Sequence, residues 1–389
     1  MANEKLSDAK KAKKDEFFTQ YNVIEKEIST YLEYDPDVFR GKTVLLPCDD
    51  PEWSNFTRYF AQNFERFGLK KLISTSYAAE SKTYKGVYQP TLFETRDPQF
   101  DPQKTTVRGK IFTLTGDRTG DRVVDVDDLE WHYLEGDGDF RSAEITKLRD
   151  ESDIIITNPP FSLFREFLAW IVEDEKQFVI IGNMNAITYK EVFPLIKANK
   201  TWLGPSISSG DREFQVPDDY PINAAGWRID ENGKKYLRIK GVRWFTNIDH
   251  GRRHQPLPLM TMADNLKYSK HKQIRGKVSY DKYDNYDAIE VPFTDAIPSD
   301  YEGVMGVPIS FLDKYSPEQF EILGMCENLD LYNLKTKIYT TEQCKQAYLA
   351  KFGKNGTYDL NASGVIEVNG LLEKVYQRIL IRHRRESIK

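Results

Sequence analysis

The chain has 389 residues, 40% hydrophobic and 30% charged, with a net charge of −5. That length implies two or three domains with real cores, and the acidic balance excludes a protein that coats nucleic acid with its whole surface. No apolar run approaches the ~18 residues of a membrane helix, no secretory leader is evident, and three scattered cysteines (Cys48, Cys326, Cys344) make neither a disulfide framework nor a zinc motif, so a reducing cytoplasm is the expected compartment.

In chain order, a lysine-rich arm (Lys5 to Lys14) leads into DEFFTQYNVIEKEISTYL, whose apolar spacing predicts a helix. KTVLLPCDDP reads as a strand ended by a turn, NFTRYFAQNFERFG as an amphipathic helix closed by Gly68, and LKKLISTSY as the next strand. Residues 80 to 130 break this rhythm as a polar insertion containing a hairpin in KIFTLTGDRTGDRVVDV. Alternation then resumes: helix SAEITKLRDES, strand DIIIT, helix SLFREFLAWIVED, strand KQFVIIGNM, helix TYKEVFPLIKAN and strand TWLG. INAAGWRI and YLRIKGVRWFTNI read as paired antiparallel strands. This order predicts an α/β chain with a doubly wound, mostly parallel sheet and an antiparallel edge strand. Beyond a boundary near residue 250, basic loops, a tyrosine-rich stretch and two or three helices are expected, the last in LLEKVYQRILIRHRR.

Charge is unevenly spread. Residues 234 to 277 hold twelve Lys and Arg against two Asp, a net +10. Such a stripe is either a solvated loop or a face that meets phosphates.

The most informative stretch is Asn158-Pro159-Pro160-Phe161, directly after a buried strand and before a helix. In open α/β sheets ligands bind beyond the carboxyl ends of the strands. Consecutive prolines keep the backbone extended and remove two N–H groups. The loop thus offers the Asn158 side-chain oxygen and the Pro159 carbonyl as neighbouring acceptors, with the Phe161 ring beside them. Two acceptors match the two hydrogens of an exocyclic amino group, and the ring matches the flat base that carries it.

This pattern resembles the [N/D/S]PP[Y/F/W] motif of amino-group methyltransferases that use S-adenosylmethionine. DEFFTQY, CDDP…SNF, GLKKLI, GDF, NPPF, WFTN and GVPISFLDKYSPEQFEILG together resemble the EcoRI-type adenine-specific DNA methyltransferases over most of the chain. The resemblance implies a Rossmann-like S-adenosylmethionine-binding catalytic domain (residues 1–250, with the insertion at about 80–130) and a DNA target-recognition region (251–389). It implies catalytic roles for Asn158, Pro159, Pro160 and Phe161. Phe18, Thr19 and Gln20 of FFTQ would close over the methionine end of the cofactor. Pro47, Cys48, Asp49 and Asp50 form the cofactor loop, in which one of the two acids holds the cofactor's amino group. Asp139 and Phe140 would contact the cofactor adenine, although EGDGDF by itself reads as an ordinary turn. Two departures stand out: CDDP replaces the glycine-rich turn, and Thr75, Ser76 and Tyr77 stand where an acid usually binds ribose, with Glu80 further on.

The implied reaction is site-specific methyl transfer from S-adenosyl-L-methionine to adenine N6 in double-stranded DNA, without a metal, by a monomer that flips its target base and protects DNA from restriction. The expected DNA contacts are Lys234, Lys235, Arg243, Trp244, Phe245, Arg252, Arg253, Lys270, Lys272 and Arg275. Trp244 and Phe245, near the flipped base by resemblance, read equally well as edge-strand core. Rival readings are a methyltransferase for RNA or a protein glutamine, and a non-catalytic DNA-binding protein on a decayed methyltransferase fold.

Overall fold

The computed structural model describes residues 18–47, 49–50, 54–78, 97–208, 211–216 and 226–384. The lysine-rich arm, Cys48, Glu80 and the first part of the insertion lie outside the described residues. The chain divides into two compact units, residues 1–251 and 252–389.

In the first unit, helix α1 (Tyr21–Tyr34) buries Ile24, Ile28 and Tyr31, one stripe at helical spacing. Strand β1 (Thr43–Leu46) is buried throughout, as a strand covered on both faces must be. Ser54 caps α2 (Asn55–Gln62) by accepting from Phe56 N–H. The one-turn α3 (Phe64–Phe67) ends at Gly68, whose φ of 62° suits a residue without Cβ. Then come β2 (Lys71–Ser76), α4 (Pro102–Val107), β3 (Lys110–Leu114), β4 (Glu130–Tyr133), α5 (Ala143–Asp150), β5 (Ile154–Thr157), α6 (Phe164–Glu173), β6 (Gln177–Asn183), α7 (Phe193–Lys197), β7 (Trp202–Leu203), β8 (Asp211–Val216), β9 (Trp227–Ile229), β10 (Lys235–Lys240) and β11 (Val242–Thr246).

Eight strands form one sheet in the order β4-β3-β2-β1-β5-β6-β11-β7. The central pairs β2–β1, β1–β5 and β5–β6 are parallel. Only β3 and β11 run against the other six, one on each side of this parallel centre. The antiparallel strand expected at the edge is β11, but it lies one place in from the edge strand β7, and the second antiparallel strand, β3, belongs to the insertion hairpin at the other side.

Two expectations for this unit are corrected. YLRIKGVRWFTNI is two strands rather than one: Gly241, at φ 70°, turns the chain between β10 and β11. β11 joins the large sheet, whereas β10 is the middle of a separate sheet, β8-β10-β9. The helix expected in TYKEVFPLIKAN shrinks to α7, with Pro194 at its start, where a missing N–H costs no helical bond.

The second unit holds α8 (Met262–Tyr268), β12 (Ala288–Glu290), β13 (Val304–Pro308), β14 (Phe320–Met325), α9 (Thr341–Phe352), β15 (Val365–Val368), β16 (Leu371–Lys374) and β17 (Arg378–His383). The helix expected in LLEKVYQRILIRHRR is instead β16 and β17. β17 lies between β13 and β14 in the sheet β12-β13-β17-β14, with Ile379, Leu380 and Ile381 buried. A continuous apolar run of three is what a strand buried on both faces requires. A buried cluster fixes this sheet: Arg378 grips Glu290 through Nε (3.1 Å) and a second guanidinium nitrogen (2.6 Å), and Tyr283 donates to the same carboxylate.

Candidate active site

Strands β1 and β5 are neighbours, with Leu45 opposite Ile155. Their carboxyl ends therefore deliver Pro47–Asp50 and Asn158–Phe161 side by side. One hydroxyl ties the two loops: Thr157 Oγ1, the last polar atom of β5, lies 2.8 Å from the Pro47 carbonyl and 2.6 Å from Asp49 Oδ2. Ser54 Oγ donates to Asp49 Oδ1 at 2.7 Å. The Asp49 backbone carbonyl accepts from Thr57 at 3.1 Å and from Ser74 of β2. Asp49 thereby anchors three adjacent segments at the carboxyl end of the sheet's parallel centre. Asp50 beside it is half-buried.

Burial pushes the Asp49 carboxyl up to about 7, against the opposing pull of the Thr157 and Ser54 hydrogen bonds. The geometry suits the neutral form. Thr157 has one hydroxyl hydrogen and two acceptors. A protonated Asp49 donates to Thr157 and leaves that hydrogen for Pro47. Because the native carboxyl holds its proton to higher pH than the unfolded one (ordinarily near 3.8), its stabilising contribution is complete below about pH 4 and is lost as pH rises through about 7. Between pH 5 and 8, wild type is therefore expected to lose stability relative to Asp49→Asn by on the order of 2 kcal/mol. Paired denaturant melts measure this difference, and parallel curves for the two proteins would contradict it.

The Asn158–Phe161 loop follows the expected course. Asn158, Pro160 and Phe161 are half-buried and Pro159 is buried. The Pro160 carbonyl accepts Leu163 N–H at 2.9 Å to start a short turn into α6. Among the described residues no backbone donor takes the Pro159 carbonyl. The Phe161 ring meets Phe214 of β8 edge-on, with centroids 6.5 Å apart.

Phe18, Thr19 and Gln20 reach the same end of the sheet. Phe18 exchanges two backbone hydrogen bonds with Gln215 of β8 (2.9 and 3.2 Å), and Gln20 Nε2 donates to the Glu213 carbonyl at 3.1 Å. Asn55, next to the Ser54 cap, donates to the Thr19 carbonyl at 2.7 Å. Thr19 Oγ1 is buried and finds no partner among the described residues. A chain of contacts thus runs from Asp49 through Ser54 and Asn55 to Thr19, then through β8 to Phe161.

Asp139 lies in the loop after β4 that packs on the end of β2. Gly138, at φ 88°, allows this approach, since a Cβ there would stand 2.4 Å from the Ser76 carbonyl. Burial raises the Asp139 pKa, but hydrogen bonds from Arg141 and the Tyr77 hydroxyl more than offset it and hold the carboxyl below its usual range. Arg141 grips Asp139 at 2.9 and 2.6 Å and reaches Glu166 of α6 at 3.2 Å, joining this loop to the helix behind the proline motif.

Several expected contacts are corrected. Phe140 is 1% exposed, with its ring covered by Phe167 and Trp170 (centroids 5.0 and 5.6 Å), so it supports the Asp139 loop from within. Trp244 and Phe245 are fully buried in β11 and present no face to a base. Arg243 is buried, and its guanidinium donates to the carbonyls of Val242 (2.8 Å) and Ser208 (2.9 Å). Arg253 is also buried. Of the remaining expected DNA contacts, Lys234, Arg252, Lys270, Lys272 and Arg275 are exposed and Lys235 is half-buried. Lys270 pairs with Asp295 at 2.7 Å.

Sequence reasoning missed Thr157, Arg141 and Phe214, and read Ser54 only as a residue near a helix N-terminus, where it does cap α2. The one available signal was Thr157, a polar residue closing an otherwise apolar strand directly before the motif.

Residues 5–384 match the model of a family described as adenine-specific methyltransferase EcoRI. The chain belongs to this family. The methyltransferase is 43% identical over 328 residues to the type II methyltransferase M.EcoRI of Escherichia coli, an alignment covering 84% of this chain and 91% of that protein. It is 33% identical to M.MpnI of Mycoplasma pneumoniae (85% of this chain, 89% of the relative). It is 32% identical to M.MgeORF184P of Mycoplasma genitalium (96% and 97%), and both are likewise named type II methyltransferases. No solved structure matches the methyltransferase significantly.

Proposed function

We propose that this methyltransferase modifies the N6 amino group of a specific adenine in double-stranded DNA, with S-adenosyl-L-methionine as methyl donor. The observation that carries the reading is the pairing of two loops at adjoining carboxyl ends of β1 and β5, one holding Asn158, Pro159 and Phe161, the other Asp49 and Asp50. That is where an open α/β sheet binds its ligands.

Asn158 Oδ1 and the Pro159 carbonyl accept the two N6 hydrogens of the target base and thereby hold its lone pair in one direction. Phe161 stacks on the base. Thr157, fixed by Asp49, sets the register of the two acceptors, and alignment of this kind supplies much of a transfer rate.

The donor set fits S-adenosylmethionine. Thr19 Oγ1 is a buried polar atom without a described partner, and the half-buried Asp50 and ionised Asp139 suit cationic or amino groups. Thr19, Asp50 and Asp139 would hold the cofactor, whose sulfonium supplies an electrophilic methyl group. Asp49, committed to two hydroxyls, acts as a strut between the loops.

Reaching N6 requires the base to leave the duplex, at a cost of a few kcal/mol. Exposed Lys234, Arg252, Lys270, Lys272 and Arg275 would offset this through phosphate contacts. The second unit, with its basic segment, is proposed as the target-recognition region. We further propose a monomeric, cytoplasmic enzyme that shields its site from a restriction nuclease.

The test is transfer of a labelled methyl group from S-adenosylmethionine to unmethylated genomic DNA, with the product nucleoside identified. N6-methyladenine is expected, with DNA affinity falling linearly in log salt concentration. Absence of label from DNA, despite measurable cofactor binding, would remove the DNA reading in favour of RNA or protein.

A further inference from the structure

The small sheet β8-β10-β9 carries one apolar row from the catalytic loop to the solvent. Phe161 touches Phe214 of β8. Phe214 lies opposite Leu237 of β10, and Leu237 lies opposite Trp227 of the edge strand β9. Cross-strand partners share a face, so Phe214, Leu237 and Trp227 stand in line on one side of the sheet. The inner end is covered, with Phe214 buried, but Trp227 is 47% exposed and Ile229, two residues on along the same face, is 50% exposed. Arg228 points to the other face and is committed to Glu213 (2.9 Å) and to the Tyr236 ring, 4.4 Å from its centroid. An exposed tryptophan and isoleucine on an edge strand need a reason.

The charge around them points to one occupant. Lys234, Arg238 and Lys240 of the β9–β10 ribbon are exposed and Lys235 is half-buried. The ribbon ends in a tight turn in which Asp230 Oδ1 accepts from Asn232 and Lys234 N–H at 3.0 and 2.9 Å. Lys235 shares the face of the apolar row, Arg238 and Lys240 lie on the opposite face and Lys234 stands at the turn, so cations flank the stacking surface on the same narrow ribbon, which suits a phosphate-backed chain of flat bases. A two-stranded ribbon is also narrow enough to enter the major groove of DNA. Two inter-strand spacings of ~4.8 Å plus the 6.5 Å Phe161–Phe214 separation put Trp227 within about 16 Å of Phe161. That is under five base steps along DNA, at ~3.4 Å each.

We propose that the β9–β10 ribbon is a DNA-contacting element, with Trp227 the residue that packs against bases flanking the extruded adenine; this rests on the DNA methyltransferase reading above. Trp227 is a binding residue, not a catalytic one. It holds the strand that carries the extruded base beside the catalytic loop through the row Trp227–Leu237–Phe214–Phe161.

The experiment compares full-length wild type, Trp227→Ala and Trp227→Phe in methyl transfer to unmethylated genomic DNA, alongside binding of S-adenosylhomocysteine and sedimentation. Trp227→Ala is expected to raise KM for DNA about tenfold, the scale of one lost base stack, with kcat at saturating DNA and S-adenosylhomocysteine binding unchanged. Trp227→Phe is expected to recover most of the loss, and DNA is expected to shield a tryptophan from iodide quenching in wild type but not in the Ala variant. An unchanged KM for DNA would overturn the proposal. So would parallel loss of S-adenosylhomocysteine binding, which would make Trp227 structural, or conversion of a dimer to a monomer, which would give the row to a second copy of the chain. A wild type that places no label in DNA fails the methyltransferase reading and this proposal together, whereas an active wild type with an equally active Ala variant fails this proposal alone.

Discussion

Asn158→Ala is expected to lower kcat for methyl transfer by at least about 10²–10³-fold, the usual loss when one preorganised polar group aimed at the reacting centre is removed. Cofactor binding and the melting transition should hardly change. The side chain sits in a half-buried loop between Thr157 and Pro159, so truncation leaves no large cavity. The strut from Thr157 to Asp49 and the buried Pro159 keep the backbone in place. Asn158→Asp retains an acceptor oxygen at the same position and should keep part of the activity, which separates the hydrogen-bonding role from simple packing. A kcat for Asn158→Ala within tenfold of wild type would show that the pair of acceptors is not what aims the amino nitrogen.

Trp244→Ala is expected to destabilise the protein by about 3–5 kcal/mol, the range for emptying a large aromatic site in a packed core. Trp244 is fully buried in β11, between β6 and β7, and meets Phe56 of α2 edge-on at 6.1 Å. The packing is close: a Cβ on Gly204 would come within 2.6 Å of the Trp244 Cβ. Its indole N–H is buried and has no partner among the described residues. Trp244→Phe therefore removes an unsatisfied donor along with some volume, and should cost much less than the alanine change. Urea melts of the two variants give the comparison. If Trp244 instead lay against the flipped base, Trp244→Phe would raise KM for DNA without moving the melting midpoint.

The two predictions differ in how legible their residues were. Asn158-Pro159-Pro160-Phe161 could be read locally because its properties are local: prolines fix φ wherever they stand, and a buried β-branched run before them marks a strand end. WFTN could not be read in that way. Trp244 and Phe245 are aromatic and follow a basic strand, a composition equally suited to a DNA face and to a core. Only the break at Gly241, which sends β11 into the large sheet and leaves β10 in the small one, decides between them. The C-terminal segment failed for a similar reason. ILIRH suits a buried strand as well as a helix, and its pairing partners Met305–Pro308 and Phe320–Met325 lie 54 or more residues away in sequence.

By itself, the sequence determined the alternation of strands and helices, the apolar strands of the parallel centre and the chemistry of the proline loop, because periodicity, backbone restriction and functional-group type are properties of short stretches. The tertiary structure alone decided what those stretches share. Thr157 and Asp49, 108 residues apart, meet because β1 and β5 are neighbours. Arg141 joins the Asp139 loop to α6, and Phe214 joins Phe161 to a row of side chains ending at an exposed tryptophan. Strand order and burial arise from contacts between residues far apart in the chain, which no local pattern encodes.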